Sequence, residues 1–314
     1  MKRKSEFFYM LYFKRILLVN ILLLLAFPVY AFHPLITDDT GTQGKHNLEL
    51  EVAFQAEHDS YRWFDRSPES VLEGLFGSVY TRDDASELGL TVSYGIIDPL
   101  DVVIGFPYQH VRSKERRIFY APGGIQGLVF KSTGTDSGIG DPLIEFKWQF
   151  FQYKGLTIAI KPGTTLPLGN EDEGFGTGRV SPFLYLILTH ETEYVITHIN
   201  LGYIRNQNNQ DDREDLWHVT LALEFVLLKN WLRFVVNTGL EHNPDKCSNI
   251  QDAFILGGFV FSPSEYCDLD IGFKYGVAPR GIESPGADYS ILGGFTVRFG
   301  TGGLQGDDKK EGGK

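Results

Sequence analysis

The chain is poor in cysteine, in methionine and in long apolar runs. Two cysteines and two methionines among 314 residues exclude a disulfide framework and a cysteine-rich zinc site. Basic residues are in deficit, 29 Lys plus Arg against 40 Asp plus Glu, which disfavours a nucleic-acid partner. Beyond residue 31 no stretch approaches ~18 continuous apolar residues, so no membrane-spanning helix is expected there. The hydrophobic content, 42% of the chain, is too high for a disordered protein. In excess are glycine, with 35 residues, and aromatic side chains, at 14%. Both exceed ordinary usage, and so much glycine disfavours a helix-rich enzyme.

The N-terminus has the pattern of an export signal. Lys2, Arg3, Lys4, Lys14 and Arg15 precede an apolar run from Ile16 to Ala26, and Val29-Tyr30-Ala31 supplies small residues at cleavage-site positions. The pattern predicts a secretory signal over residues 1–31, cut after Ala31. An uncleaved anchor is the competing reading, disfavoured by the short apolar core. Cleavage would leave 283 residues with 24 basic and 39 acidic side chains, a net charge of −15.

The rest of the chain alternates with a period of two. Leu48, Leu50, Val52, Phe54 and Ala56 interleave with Glu49, Glu51, Ala53, Gln55 and Glu57, which puts apolar groups on one face of a strand and carboxylates on the other. The same dyad recurs along the chain and predicts twelve strands near 46–57, 86–97, 101–111, 142–151, 155–167, 178–188, 193–205, 215–227, 231–242, 252–262, 267–278 and 288–299. The periodicity leaves the facing of 178–188 and 252–262 open. Short connections (around 98–99, 153–154, 190–191, 229–230 and 263–264) alternate with longer polar ones (58–85, 112–141, 168–177, 206–214, 243–251 and 279–287). Short periplasmic turns against long extracellular loops characterise an antiparallel transmembrane β-barrel. An even strand number returns both ends of the barrel to the short-turn side. Aromatics add to this reading: Trp148, Trp231, Tyr194, Tyr266 and Phe299 fall near short-turn ends and Trp217 near a long-loop end, as an interfacial girdle requires. Residues 32–299 are thus expected to form an outer-membrane barrel, followed by a polar tail over 300–314.

Three segments carry a family resemblance: HPLITDDTGTQGKHNLELE (33–51), SGIGDPLIEFKW (137–148) and KPGTTLPLGN (161–170). The mature chain resembles the barrel family labelled "MetA-pathway of phenol degradation". The glycine-aspartate start of one strand and the proline-glycine end of another are its best markers. The resemblance implies an outer-membrane barrel linked in some members to aromatic-compound degradation. It attaches no catalytic residue to these motifs.

Strand phase assigns an inward-facing charged set. The acids are Glu49, Glu51, Glu57, Glu87, Asp101, Glu145, Glu224, Glu241, Asp268 and Asp270, and the bases are Lys147, Lys161, Arg233, Lys274 and Arg298. Glu51, Glu145, Lys147, Lys161 and Lys274 fall nearest mid-height and are the candidate pore-lining residues, with Glu145, Lys147 and Lys161 on adjacent strands. They would form either a selective constriction or an ion-pair network filling a modest lumen. Asp38, Asp39 and Thr40 read as turn chemistry before the first strand, with cation binding the lesser alternative. The loop acids Glu171, Asp172, Glu173, Asp211, Asp212, Glu214 and Asp215 read as solvated, with divalent-cation binding at the outer surface the lesser alternative. The glycine runs at 138–140 and 174–178 lack the strand–helix setting of a phosphate loop. No G-x-S-x-G occurs, and no cluster has metal-ligand spacing. His110 and His242 near the outer rim are the only hint of a hydrolase, so no enzyme activity and no cofactor are expected. Because Cys247 and Cys267 fall at opposite ends of one strand, roughly 35 Å apart, no bridge between them is expected. Three functions stay open: a channel for small solutes seated in outer-membrane lipid, a closed barrel acting through the loops 58–85 and 112–141, and a rim hydrolase. The apolar residues Tyr61, Trp63, Phe64, Leu72, Leu75 and Phe76 would let loop 58–85 fold inward as a lid or pack on lipid.

Overall fold

The computed structural model describes residues 36–65, 76–121, 125–244, 246, 251–277 and 288–300. The expected export signal, the tip of loop 58–85 and the C-terminal tail lie outside them. Among the described residues the fold is all-β, with thirteen strands. They are β1 (Leu48–Asp65), β2 (Phe76–Ile97), β3 (Leu100–Ala121), β4 (Ile125–Ile139), β5 (Leu143–Tyr153), β6 (Leu156–Thr165), β7 (Ser181–Glu191), β8 (Val195–Arg205), β9 (Asp215–Leu228), β10 (Leu232–His242), β11 (Gln251–Ser264), β12 (Cys267–Gly276) and β13 (Tyr289–Phe299). All pairings are antiparallel, and β1 closes on β13 with Leu48 opposite Phe299 and His58 opposite Tyr289. Twelve strands form the closed barrel, and β4 is an extra strand hydrogen-bonded only to β3. Closure leaves no unpaired edge in hydrocarbon, the condition a membrane imposes on a sheet.

The alternation sorts side chains as expected. Leu90, Phe106, Phe146, Trp148, Leu184, Leu201, Val219, Phe259, Ile271 and Phe273 project outward and are exposed, while Ala53, Ala159, Ile187, Ala222, Val235, Leu256 and Leu292 are buried inside. Strand β11, whose facing the periodicity left open, turns Phe254, Leu256 and Val260 inward and Ile255, Phe259 and Phe261 outward. In β7, Ser181, Ile187 and Thr189 are the buried positions. Trp148, Tyr194, Trp231, Tyr266 and Phe299 ring the short-turn end, and Trp217 packs at a tilt against Tyr203 (4.7 Å between centroids) toward the other. The β5–β6 turn is two residues, Lys154 (φ 46°) and Gly155 (φ 82°), the left-handed pair that fits a tight hairpin to the sheet's twist.

The largest correction concerns the two longest loops. Residues 58–65, 76–85, 112–121 and 125–139 are strand, not loop, so β1 to β4 rise as a sheet beyond the rest of the barrel. The reason is solvation: above the bilayer both faces meet water, the apolar dyad disappears, and a paired strand looks like a polar loop. Any inward folding of 58–85 as a lid could involve only residues 66–75, which lie outside the described residues.

The wall also has a break at Gly140-Asp141-Pro142. The lower part of β3 pairs with β5 (Gly105 opposite Leu143) and its upper part with β4 (Tyr108 opposite Ile139). Strands β4 and β5 are therefore one line interrupted at the proline, which cannot donate to a ladder. Loop 166–180 seals the gap. Asp141 accepts from the Gly169 amide (2.9 Å) and from the amide and hydroxyl of Thr177 (2.8 Å each). Asn170 donates to the Ile139 carbonyl, and Phe175, buried, lies against Gly138. Asp141→Ala strands the Gly169 and Thr177 amides, while the Thr177 hydroxyl can still donate to the Arg179 carbonyl (2.9 Å). It is expected to lower unfolding stability by about 2–4 kcal/mol, read as a lower urea midpoint. An unchanged midpoint would show that the loop holds without the carboxylate.

Candidate functional site

The lumen is crossed by the chain's own segment 36–47. Thr37 and Thr40 are buried, and their partners lie on strands far away in sequence. Asn237 of β10 accepts from the Ile36 amide (2.9 Å) and donates to the Thr37 hydroxyl (2.6 Å). Ile36 packs on Phe254, Leu256 and Leu292. Thr40 donates its amide to Thr189 of β7 (3.1 Å) and its hydroxyl to Thr157 of β6 (2.7 Å). The Asn200 amide, turned so that its nitrogen faces the Asp38 carbonyl, bridges both backbone groups of Asp38 (2.9 and 2.6 Å). Further along, the Gln43 amide donates to Asp101 (2.8 Å) and the Lys45 amide to Asp98 (3.1 Å). At Gly95 a side chain is impossible, because its Cβ would stand 1.7 Å from the Gly44 carbonyl oxygen. Each wall partner down to Asp101 faces inward, so the segment runs across the barrel from β10 to β3 before entering β1.

Glu145, Lys147 and Lys161 do meet, and Asp38 joins them. Lys147 donates to Asp38 (3.0 Å) and Asp39 (3.2 Å), and Lys161 to Asp38 (2.7 Å) and Glu145 (3.0 Å). The two lysines are largely buried, with side chains 11% and 15% exposed. Burial opposes the charge on Asp38, but Lys147 and Lys161 outweigh it and hold its carboxyl well below the ordinary carboxylate range. Asp39 additionally accepts from the Gly41 amide (2.6 Å), so the expected turn bond exists beside a larger role. Nothing periodic marks residues 33–47, so the sequence by itself shows the turn chemistry of these aspartates and not their pairing with the wall. A legible signal was there: two adjacent acids in a family-marking segment, matched by two lumenal lysines.

The other two candidates lie elsewhere. Lys274 approaches Glu241 (3.9 Å) and sits over the Phe254 ring (4.8 Å to its centroid). Glu51 stands in the register row of Thr91 and Thr296. A second network runs round the wall: Glu49 to Arg298 (2.8 Å), Arg298 to Asp268 (2.8 Å), Arg233 to Glu224 (2.9 Å), and Glu224 to His198 (3.0 Å). His198 is bonded through its other nitrogen to the Thr189 hydroxyl (2.9 Å), the group that also receives Thr40. The wall network thus ends on the segment. Below it opens a cavity of about 850 Å³ at the short-turn mouth, lined by Glu224, Trp231, Arg233, Tyr266, Asp268 and Arg298.

Among the described residues no group of three His, Cys, Asp or Glu is placed to hold a metal ion. Several loop acids are engaged: Asp215 and Glu214 pair with Arg205, Asp211 with Lys246, and Glu171 accepts from Asn209 (2.8 Å). His110 is exposed on the outer wall, and His242 reaches only the Asp215 carbonyl (3.4 Å). Cys267 carries a free thiol, while Cys247 lies outside the described residues.

The model of the family described as "Putative MetA-pathway of phenol degradation" matches residues 37–299. No curated protein matches the sequence. Among solved structures the chain is similar to a COG4313 outer membrane channel from Pseudomonas putida F1, at 13% identity and TM-score 0.58, covering 83% of this chain and 98% of that one. The transport unit of the autotransporter AIDA-I from Escherichia coli matches at 8% identity and TM-score 0.46, covering 84% and 93%. A FadL homologue from Pseudomonas aeruginosa matches at 8% and 0.43, covering 81% and 88%. At these identities the likeness is one of fold, carried by the first of the three.

Proposed function

Since the chain belongs to that family, whose match spans most of its length, we propose that it is an outer-membrane channel for small solutes with a lumen occluded at rest. In this reading the short turns face the periplasm, and the raised sheet of β1 to β4 faces outward. Residues 1–31 serve as the export signal, and the barrel sits in outer-membrane lipid. Glu51, Glu145, Lys147, Lys161 and Lys274 line the path.

One observation carries the reading: Lys147 and Lys161 take Asp38 as a shared partner from the segment and not from the wall. Elsewhere the wall pairs its own bases, as Arg298 with Glu49 and Arg233 with Glu224, and Lys161 also meets Glu145 of the wall. Both carboxylate partners of Lys147, however, Asp38 and Asp39, come from the segment. Here a polar segment supplies the counter-charge, held by hydrogen bonds and a single apolar foot at Ile36, and its withdrawal would leave a charged, solvated path. Hydrophobic or aromatic compounds come from the family's description alone. No catalytic chemistry is assigned: the hydroxyl–imidazole–carboxylate line Thr189–His198–Glu224 is buried, and its hydroxyl is engaged by the Thr40 amide.

The competing reading is a permanently closed barrel, favoured by the pairing of so many lumenal charges. Conductance of the refolded protein in a planar bilayer decides between them. The channel reading expects discrete openings whose ion selectivity shifts in Lys161→Ala and Glu145→Ala. Silence from a heat-modifiable barrel, persisting after the segment is removed, would support permanent closure.

A further inference from the structure

The raised sheet carries a charge pattern that the channel reading does not use. On the outward face of β2 and β3 the apolar band ends at Leu88 and Tyr108, which stand opposite each other. Above it the same face presents Arg82 on β2, Arg112, Lys114 and Arg116 on β3, and Lys131 on β4. Arg82 is opposite Lys114, and Arg116 is opposite Lys131. Five cations thus share one small area in a chain of net charge −11.

The acids are sorted to the other face. Asp83, Glu87, Glu115 and Asp136 occupy the opposite phase of the same strands, on the inner face. The one acid on the outward face of β2 and β3 in this region is Asp84, engaged by Arg82 (3.1 Å), Lys114 (3.7 Å) and His58 (2.8 Å). Arg112, Arg116 and Lys131 are exposed and, among the described residues, make no ion pair. A pocket of about 450 Å³ opens here, and its lining includes Tyr80, Arg82, Lys114, Arg116 and Lys131 together with one acid, Glu115, which is paired with Arg117.

Two bland explanations fail. Lysine on a sheet edge protects against edge-to-edge association, but three of the five cations are on β3, which is paired on both sides. General solubility would be served by either sign of charge on either face, whereas here the outward face carries five bases against one acid, and the inner-face base Arg117 is paired with Glu115.

Height identifies the ligand chemistry. Arg112 lies four residues beyond Tyr108, and Arg116 eight. At ~3.3 Å per residue and a tilt of ~40° they stand roughly 10 and 20 Å above the apolar band. That is the depth of headgroups, not of hydrocarbon. Arginine forks match phosphate oxygens bidentately. Resting on the outer-membrane orientation argued above, we propose that this face binds the phosphorylated headgroup of the outer-leaflet glycolipid, lipopolysaccharide. Its acyl chains lie against Leu90, Phe106 and Tyr108 while its phosphates meet Arg82, Arg112, Arg116 and Lys131. A lipid phosphate is favoured over a free anion because one molecule satisfies the apolar band and the cations together.

The test uses the refolded full chain in phosphatidylcholine nanodiscs, titrated with diphosphorylated lipid A and with the same lipid stripped of its phosphates. Heat-modifiable mobility confirms the barrel, and conductance does not enter the readout, so a failed channel reading leaves this result interpretable. The wild-type protein should bind diphosphorylated lipid A at least about tenfold more tightly than the stripped lipid. Arg112→Glu/Arg116→Glu/Lys131→Glu should abolish that preference. Should the triple variant fold poorly, the single Arg116→Gln change should still weaken binding about threefold. Equal binding of the two lipids by the wild type, or an unaltered preference in the variants, would overturn the proposal. So would displacement of lipid A by millimolar inorganic phosphate, which would make this a small-anion site.

Discussion

Deleting Ile36–Gly44 is expected to raise single-channel conductance about fivefold or more, because it removes the segment that crosses the lumen. A closed barrel of twelve strands spaced ~4.8 Å apart and tilted ~40° has a backbone radius of roughly 12 Å. Inward side chains reduce this to an open core little wider than the one extended segment that crosses it. The segment is tied at Asn237, Asn200, Thr189, Thr157, Lys147, Lys161 and Asp101, so spontaneous withdrawal should be rare and wild-type openings brief. A second route to the same end keeps the chain intact. Gly95→Val forces a side chain into the space of the Gly44 carbonyl, 1.7 Å from the new Cβ, and should dislodge the segment where it enters β1. Deletion and substitution should therefore converge on the same larger conductance. If both leave it unchanged, ions pass by a route the segment does not obstruct. Mild acid should not mimic them. A carboxylate held below its ordinary value contributes stability at higher pH and loses it only as pH falls through the depressed value. The Asp38 pairs should accordingly persist at about pH 4, where free aspartate is roughly half protonated.

How much of this could be read from residues follows from where water lies. Within the bilayer one face of each strand meets hydrocarbon, so Phe146 and Trp148 outward against Glu145 and Lys147 inward is a pattern that permits one assignment. That is why the triad of Glu145, Lys147 and Lys161 could be placed on a shared face. Over Arg112–Arg117 the sequence reads Arg-Ser-Lys-Glu-Arg-Arg, and no apolar dyad betrays a strand, although β3 is paired there on both sides. Strand β4 was invisible for the same reason. The lumenal segment was illegible on different grounds: its structure is dictated by the wall, through side chains such as Asn237 that lie some two hundred residues away. The Gly-Asp marker at 140–141 was recognised as a pattern, but its cause, three hydrogen bonds sealing a broken wall, needed the third dimension.

Charge arithmetic in the central cluster yields the other large effect. Asp38, Asp39 and Glu145 face Lys147 and Lys161, three acids to two bases, a net of one negative charge. Replacing Asp38 and Asp39 together by alanine inverts this to one positive charge while leaving the wall untouched. Lys147 then loses both of its carboxylate partners, and Lys161 retains Glu145 alone. Two consequences are expected in the same protein. Breaking a largely buried pair leaves an uncompensated ammonium and should cost about 3–5 kcal/mol, seen as a lower urea midpoint for loss of heat-modifiable mobility. The same ammonium groups, now facing solvent in a loosened lumen, should shift reversal potentials in a salt gradient toward anion selectivity, since charged side chains at a constriction set the sign of the permeant ion. Lys147→Met separates the two effects. It removes the buried cation together with the reason to hold Asp39, so it should loosen the segment without an anion preference. If the double aspartate variant is destabilised yet keeps its selectivity, the cluster is a structural clasp and the conducting path runs elsewhere. If selectivity inverts with little loss of stability, the lysines were already solvated and the occlusion is shallower than the hydrogen-bond pattern implies.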